Sequence, residues 1–71
     1  MKYHFHVWDD FGTIADDKGV ECDSVRTALE LAEGKARRLV ADNQHALAPQ
    51  YFSVQICDEF QAHVMTVMVR R

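Results

Sequence analysis

Two histidines lie two residues apart near the start of the sequence and could serve as metal ligands. His4 and His6 alternate with Tyr3, Phe5 and Val7, which is the period-two pattern of a β-strand. Alternate residues of a strand share one face about 7 Å apart, a spacing that two ligands of one metal ion can have. A zinc site needs three or four protein ligands, and neither Cys-x-x-Cys nor His-x-x-x-His occurs in the chain. We therefore interpret the pair as sheet residues and expect no metal and no other cofactor, with metal binding kept as the weakest of three hypotheses.

Nucleophilic catalysis is the second chemistry that the residue types suggest. Cys57 or Ser53 could act with a histidine such as His63 as base. Such a site also needs an orienting acid and a cleft, and one small sheet leaves little room for a cleft. Asp58 and His63 fit better as a structural ion pair at the end of a hairpin. We therefore expect that the chain is not an enzyme.

The chain has a net charge of −3, and its acidic residues are concentrated in residues 9–23. They are Asp9, Asp10, Asp16, Asp17, Glu21 and Asp23, with Lys18 as the one cation among them. An acidic balance repels phosphates, so direct binding to nucleic acid is disfavoured. The simplest interpretation of this segment is a solvated loop. The alternative is an acidic inhibitor whose loop mimics phosphates and blocks a basic protein partner that handles nucleic acid.

Length and composition predict one domain over residues 1–71. A hydrophobic content of 48% argues against a disordered chain. A domain of this size nevertheless has a small core and often needs a staple or a partner. Cys22 and Cys57 can form at most one bridge. No apolar run resembles a signal peptide or a membrane span. We expect a cytoplasmic chain with reduced cysteines and no membrane contact.

Periodicity predicts three main strands and one helix. Residues 2–8, 51–58 and 62–70 alternate in the manner of strands, whereas residues 24–43 repeat apolar side chains at the helical spacing. The acidic segment 9–23 contains two glycines and is expected to form a turn or loop, with "GTIA" and "GVEC" as pieces of a possible extra strand.

The last two strands are expected to form a hairpin whose register follows from the apolar pattern. One face then pairs Phe52 with Val69, Val54 with Val67, and Ile56 with Met65. The other face pairs Tyr51 with Arg70, Ser53 with Met68, Gln55 with Thr66, and Cys57 with Val64. Because strand 62–70 is apolar on both faces, we expect it at the centre of the sheet, between 51–58 and 2–8.

Together these elements predict an α+β fold. We expect a two-layer sandwich in which one long helix packs on a three- or four-stranded, mainly antiparallel sheet, in the order β-(β)-α-β-β. With strand 62–70 at the centre, the connection through the helix is a crossover that skips one strand.

Three short motifs resemble a family of short bacterial proteins, common in relatives of rhizobia, that is known only as a domain of unknown function. "YHFHV" at residues 3–7 is similar to the family's opening Tyr-Phe-Phe-His strand, with His4 in place of an aromatic residue. Asp16 or Asp17, followed by Gly19 and Glu21, is similar to its Asp-x-x-Gly-x-Glu segment. An alanine-rich helix follows, with Ala28, Ala32 and Ala36. The resemblance covers about the first forty residues. It supports the fold and implies no activity.

The sheet face away from the helix is the candidate interaction site. Its predicted members are His4, His6, Trp8, Tyr51, Cys57, Val64 and Met68. Aromatic residues and methionine are enriched in protein interfaces, and this face is too apolar for permanent exposure. The leading hypothesis is therefore a non-enzymatic interaction or regulatory module, homodimeric through sheet packing or edge pairing.

Overall fold

The computed structural model describes residues 1–71 as five strands and one helix. The strands are β1 (Lys2–Asp9), β2 (Gly12–Ile14), β3 (Val20–Glu21), β4 (Tyr51–Cys57) and β5 (His63–Arg70), and helix α1 (Val25–Asp42) lies between β3 and β4. All pairings are antiparallel, in the order β2-β1-β4-β5, and β3 pairs with β1. The predicted α+β sandwich is thus confirmed, and the two short pieces in residues 9–23 do form extra strands.

The core lies between α1 and the sheet, and small side chains bring the two layers close together. Ala28, Ala32 and Ala36 recur every four residues on one face of α1, and all three are completely buried. Opposite them, Val54 and Ile56 of β4 are also completely buried. The helix begins at a capping serine, Ser24, whose hydroxyl accepts a hydrogen bond from the amide of Thr27 at 3.2 Å.

The register of the final hairpin is confirmed except at its closed end. The pairs Phe52–Val69, Val54–Val67 and Ile56–Met65 all form. Cys57, however, pairs with His63 and not with Val64, because a bulge interrupts β4 and β5 between Ile56 and Cys57. The extra residue turns Val64 toward the helix, where it packs against the core. Its predicted position on the outer face was therefore wrong.

The predicted strand order was also wrong. β4 lies at the centre and pairs with both β1 and β5, which leaves β5 at an open edge. The outer face of β4 is more polar than that of β5, yet β4 is paired along both of its edges. The outer face of β4 contains Ser53 and Cys57, whose short side chains are nevertheless buried between longer neighbours. No crossover skips a strand, since β4 pairs directly with β1.

The two cysteines, Cys22 and Cys57, are both free and buried. The only helix, α1, does not combine the length and the apolar character that a membrane-crossing helix needs.

Candidate functional site

The strongest local feature is an interruption in the strand that lies along β1. Val7 pairs with Ile14 in β2, and Tyr3 pairs with Val20 in β3. Five residues, 15–19, therefore lie opposite only three residues of β1. We call residues 15–19 the Asp16 turn, because Asp16 provides most of the hydrogen bonds that replace the missing strand pairing.

Both histidines of β1 bind the backbone of the Asp16 turn. The Nδ1 of His4 donates to the carbonyl oxygen of Asp16 at 2.8 Å, and the amide of Asp16 donates to the Nδ1 of His6 at 2.9 Å. His6 therefore carries its proton on Nε2, which donates to the side-chain oxygen of Gln61 at 3.1 Å. The two rings stack with centroids 6.2 Å apart and an angle of 11° between their planes. The two histidine side chains thus provide hydrogen bonds to the Asp16 turn where β1 has no strand paired with it.

The Asp16 carboxylate completes the same turn by accepting three backbone amides. Its Oδ2 accepts from Phe5 at 2.9 Å, and its Oδ1 accepts from Lys18 at 3.2 Å and Gly19 at 3.0 Å. Partial burial pushes the pKa of Asp16 upward, but the three amides, helped by the charge of His4, outweigh burial and hold the pKa below its ordinary value. The charged form of Asp16 is therefore the one that stabilises the fold.

Gly19 ends the Asp16 turn in a conformation that favours glycine. Its φ is +74°, and a Cβ there would lie 2.7 Å from the Cγ of Lys2 and 3.0 Å from the carbonyl oxygen of Tyr3. We expect Gly19→Ala to lower the free energy of unfolding by about 1–2 kcal/mol, because the backbone is strained and β1 is displaced. Urea denaturation measures this change.

Gly34, in the middle of α1, provides the matched control. A Cβ there would meet nothing nearer than the Nη2 of Arg37 at 3.9 Å. Gly34→Ala should therefore raise the free energy of unfolding by about 1 kcal/mol, as expected for a helix interior. A Gly19→Ala variant as stable as the parent would contradict the close contact between the Asp16 turn and β1.

The predicted outer-face residues differ widely in accessibility. Trp8, Tyr51 and Met68 are exposed, His6 is half-buried, and His4 and Cys57 are buried within the chain. In the sheet register, Trp8 and Met68 stand on either side of Ser53. We call Trp8, Tyr51 and Met68 the outer patch. It is the part of the predicted interface that a second molecule can reach.

Four of the six predicted acidic loop residues are engaged inside the chain. Asp9 accepts from the amides of Phe11 and Gly12, and Asp10 accepts from the amide of Gln50. Asp16 has the three amides described above. Glu21 forms an ion pair with the amino group of Met1 at 3.0 Å. Asp17 and Asp23 remain without a hydrogen bond or ion pair, so most of the cluster has a folding role.

The residues that suggested catalysis or metal binding are also committed to the fold. Asp58 forms no ion pair with His63, contrary to expectation; its Oδ1 accepts from the amides of Phe60 and Ala62. Burial raises the pKa of the Cys57 thiol, and the charge of Asp58 adds to the effect. No group of three or more histidine, cysteine, aspartate or glutamate side chains could hold a metal ion.

The sequence predicted a turn or loop in residues 9–23 but not the two hydrogen-bonded turns that this segment contains, although a repeated motif marks them. "DDFG" at residues 9–12 and "DDKG" at residues 16–19 share the pattern Asp-Asp-x-Gly. In both, the first aspartate accepts from the amides two and three residues later, and the glycine has positive φ. This is the local bonding that aspartate offers in turns. Gln61, which binds His6, has no comparable signal.

No curated protein and no solved structure matches the chain. A family model does match, over residues 2–70, and so extends beyond the first forty residues to include β4 and β5. The chain belongs to the family described as Domain of unknown function (DUF6894).

Proposed function

We propose that the chain is a non-enzymatic interaction module that forms a homodimer by pairing β5 with β5 of a second copy. The observation that supports this most is the position of β5. Within β5 (His63–Arg70) the one lysine, arginine, aspartate or glutamate is Arg70 at the end of the strand, yet β5 lies at the open edge of the sheet. Monomeric proteins usually protect such edges with lysine, proline, bulges or a covering loop.

The side chains of β5 support the same conclusion. Met65 and Met68 are 36% and 66% exposed, and Val67 and Val69 are only half-buried against the helix. One bulge interrupts the strand, and it lies at the closed end of the hairpin. The remaining backbone groups on the outer side of β5 are available to a further strand.

A second copy of the chain is the partner that fits this edge best. Two copies of β5 can pair antiparallel around a two-fold axis, so that the same residues contact each other from both sides. The two sheets then become one, and the outer patches of the two copies lie on the same face. A chain in which only 15 of 71 residues are buried gains stability from such additional burial.

The non-enzymatic part of the proposal is supported by the state of the possible nucleophiles. Burial raises the pKa of both cysteine thiols, and the reactive form of cysteine is the thiolate. His4 and His6 use three of their four ring nitrogens within the fold. The one sizeable groove on the surface is lined by neither cysteine, serine nor histidine.

Sedimentation equilibrium of the parent and of Met68→Lys measures the association. We expect a dimer for the parent and at least a tenfold increase in Kd for Met68→Lys, because each copy would bring a charge to the paired edge. Leu47→Lys is the matched control, since Leu47 is 84% exposed and lies outside the sheet; its Kd should equal that of the parent.

Trp8→Ala distinguishes pairing of two β5 edges from packing of two outer sheet faces. Trp8 lies on β1, two strands from β5, so edge pairing should tolerate the change, whereas packing of two sheet faces should lose about 2 kcal/mol or more. Because Met68 also belongs to the outer patch, loss of the dimer in both Trp8→Ala and Met68→Lys would move the interface to the outer face, whereas edge pairing requires a loss in Met68→Lys alone. A parent that remains monomeric at several hundred micromolar would refute the homodimer.

A further inference from the structure

A groove of about 670 Å³ lies between α1 and the Asp16 turn. It is at the edge of the sheet formed by β2 and β3, opposite the edge formed by β5. We call it the helix–turn groove. Its volume falls within the range of small-molecule sites, about 300–1,000 Å³. Phe5 of β1, Val20 of β3 and Leu31 of α1 provide the apolar part of its lining. Phe5 is 6% exposed and Leu31 is 46% exposed, so the groove offers an aromatic ring inside and an aliphatic wall at the opening.

Gly34 lines the groove and keeps the helix backbone accessible. Glycine in a helix interior costs about 1 kcal/mol relative to alanine, and packing does not require it here, because a Cβ would meet only the end of Arg37 at 3.9 Å. A larger side chain at this position would fill the groove without disturbing the core. The glycine therefore maintains open space at a cost to stability.

The charge of the groove is opposite to that of the whole chain. Lys18, Lys35 and Arg38 line it, and none of them forms an ion pair. Two carboxylates also line it, Glu30 and Asp16. The Asp16 carboxylate is already bound by three backbone amides. Three cations thus face two carboxylates, which leaves the groove a net charge of +1 in a chain whose net charge is −3.

We propose that the helix–turn groove binds a small molecule in which an anionic group, a carboxylate or a phosphate, is attached to an apolar ring. The anion would lie near Lys35 and Arg38, and the ring would pack against Phe5 and Leu31 next to the open backbone at Gly34. Charge complementarity selects an anion, and the apolar lining selects the ring. This site is independent of the proposed dimer edge.

Amide chemical shifts measured by NMR during titration with three related probes test this site on the intact chain. The probes are 1-naphthyl phosphate, 1-naphthoate and the neutral 1-naphthol. We expect one or both anions to shift the amides of Gly19, Val20, Leu31 and Gly34, and 1-naphthol to bind at least tenfold more weakly. The comparison between phosphate and carboxylate identifies the preferred anion. Binding should also weaken as salt is added, because the cations are exposed.

Two variants with matched controls locate the binding. Gly34→Leu should abolish the shifts while leaving the melting temperature equal to or above that of the parent, because leucine is a good helix former. Arg38→Gln should weaken binding of the anion about fivefold, whereas Arg26→Gln, on the same helix but outside the groove, should not change it. Equal affinity for 1-naphthol, shifts centred on the outer patch, or full binding by Gly34→Leu would each overturn the proposal.

Discussion

Replacing Asp16 with alanine is expected to lower the free energy of unfolding by about 3 kcal/mol. The change removes three hydrogen bonds to one carboxylate, from Phe5, Lys18 and Gly19. Hydrogen bonds to a charged group contribute about 1.5–3 kcal/mol each when buried, and the partial exposure of Asp16 reduces that value. Because a domain of this size has about 4–10 kcal/mol in total, the variant should keep about 1–7 kcal/mol and should unfold at a clearly lower urea concentration than the parent. Urea denaturation followed by the fluorescence of Trp8 measures the change.

Asp17→Ala is the matched control for that experiment. Asp17 is adjacent and exposed, and its carboxylate accepts no hydrogen bond, so its removal should change the free energy of unfolding by less than about 0.5 kcal/mol. Equal destabilisation by the two substitutions would indicate an effect of net charge. In that case the destabilisation of Asp16→Ala would not result from the loss of the hydrogen bonds in the Asp16 turn.

The same carboxylate predicts a dependence on pH. The folded pKa of Asp16 lies below its unfolded value of about 3.9, so its contribution to stability is complete above that value and is lost as the pH falls through the folded pKa. Asp16→Asn keeps one acceptor oxygen and cannot ionise. The stability difference between the parent and Asp16→Asn should therefore be largest at neutral pH and should shrink below about pH 4. A difference that stays constant down to pH 2 would contradict the lowered pKa.

The fold class could be predicted because the apolar pattern changes clearly along the chain. Alternation over residues 2–8 and helical spacing over residues 24–43 each correspond to one element of the structure. The hairpin register followed from the match between Val54 and Val67, since a slip of one residue would turn apolar side chains to the wrong face. The bulge beside Cys57 left no comparable pattern, because it changes the direction of only a few residues.

Strand order was not predictable from the apolarity of single strands. β5 is apolar on both faces yet lies at the edge, whereas β4 is central with Ser53 and Cys57 on its outer face. A strand's position depends on which neighbours cover it, and short polar side chains can be buried by longer ones on adjacent strands. Because monomeric proteins usually protect an apolar edge strand, the position of β5 at the edge is the reason for placing the proposed dimer contact there.

The sequence predicted which strand face the two histidines share but not which groups they bind. Their spacing placed both on one strand face, as observed. Their hydrogen bonds, however, involve the backbone of Asp16, which lies ten or more residues away, and the side chain of Gln61. Contacts of this kind depend on where a loop folds back. The repeated Asp-Asp-x-Gly pattern was the available signal that the acidic segment would turn twice.

Val54→Asp is expected to unfold the chain, whereas Val67→Asp should leave it folded. The two valines face each other in the hairpin, but Val54 is completely buried in the central strand and Val67 is half-buried at the edge. A carboxylate at position 54 has no partner and no route to water, which costs more than about 4 kcal/mol and exhausts the stability of a domain of this size. At position 67 the carboxylate can turn outward from the edge, so we expect a loss of about 1–2 kcal/mol, mainly from reduced apolar burial.

Circular dichroism during urea denaturation distinguishes the two variants, at concentrations low enough to keep the chain monomeric. The expected result is a cooperative transition for Val67→Asp and none for Val54→Asp. Val54→Ala calibrates the measurement, with an expected loss of about 2–3 kcal/mol from the lost apolar burial and the cavity together. If Val67→Asp also abolished the transition, β5 would have to be covered on both sides within one chain. That outcome would restore the strand order with β5 at the centre and would remove the open edge on which the proposed dimer depends.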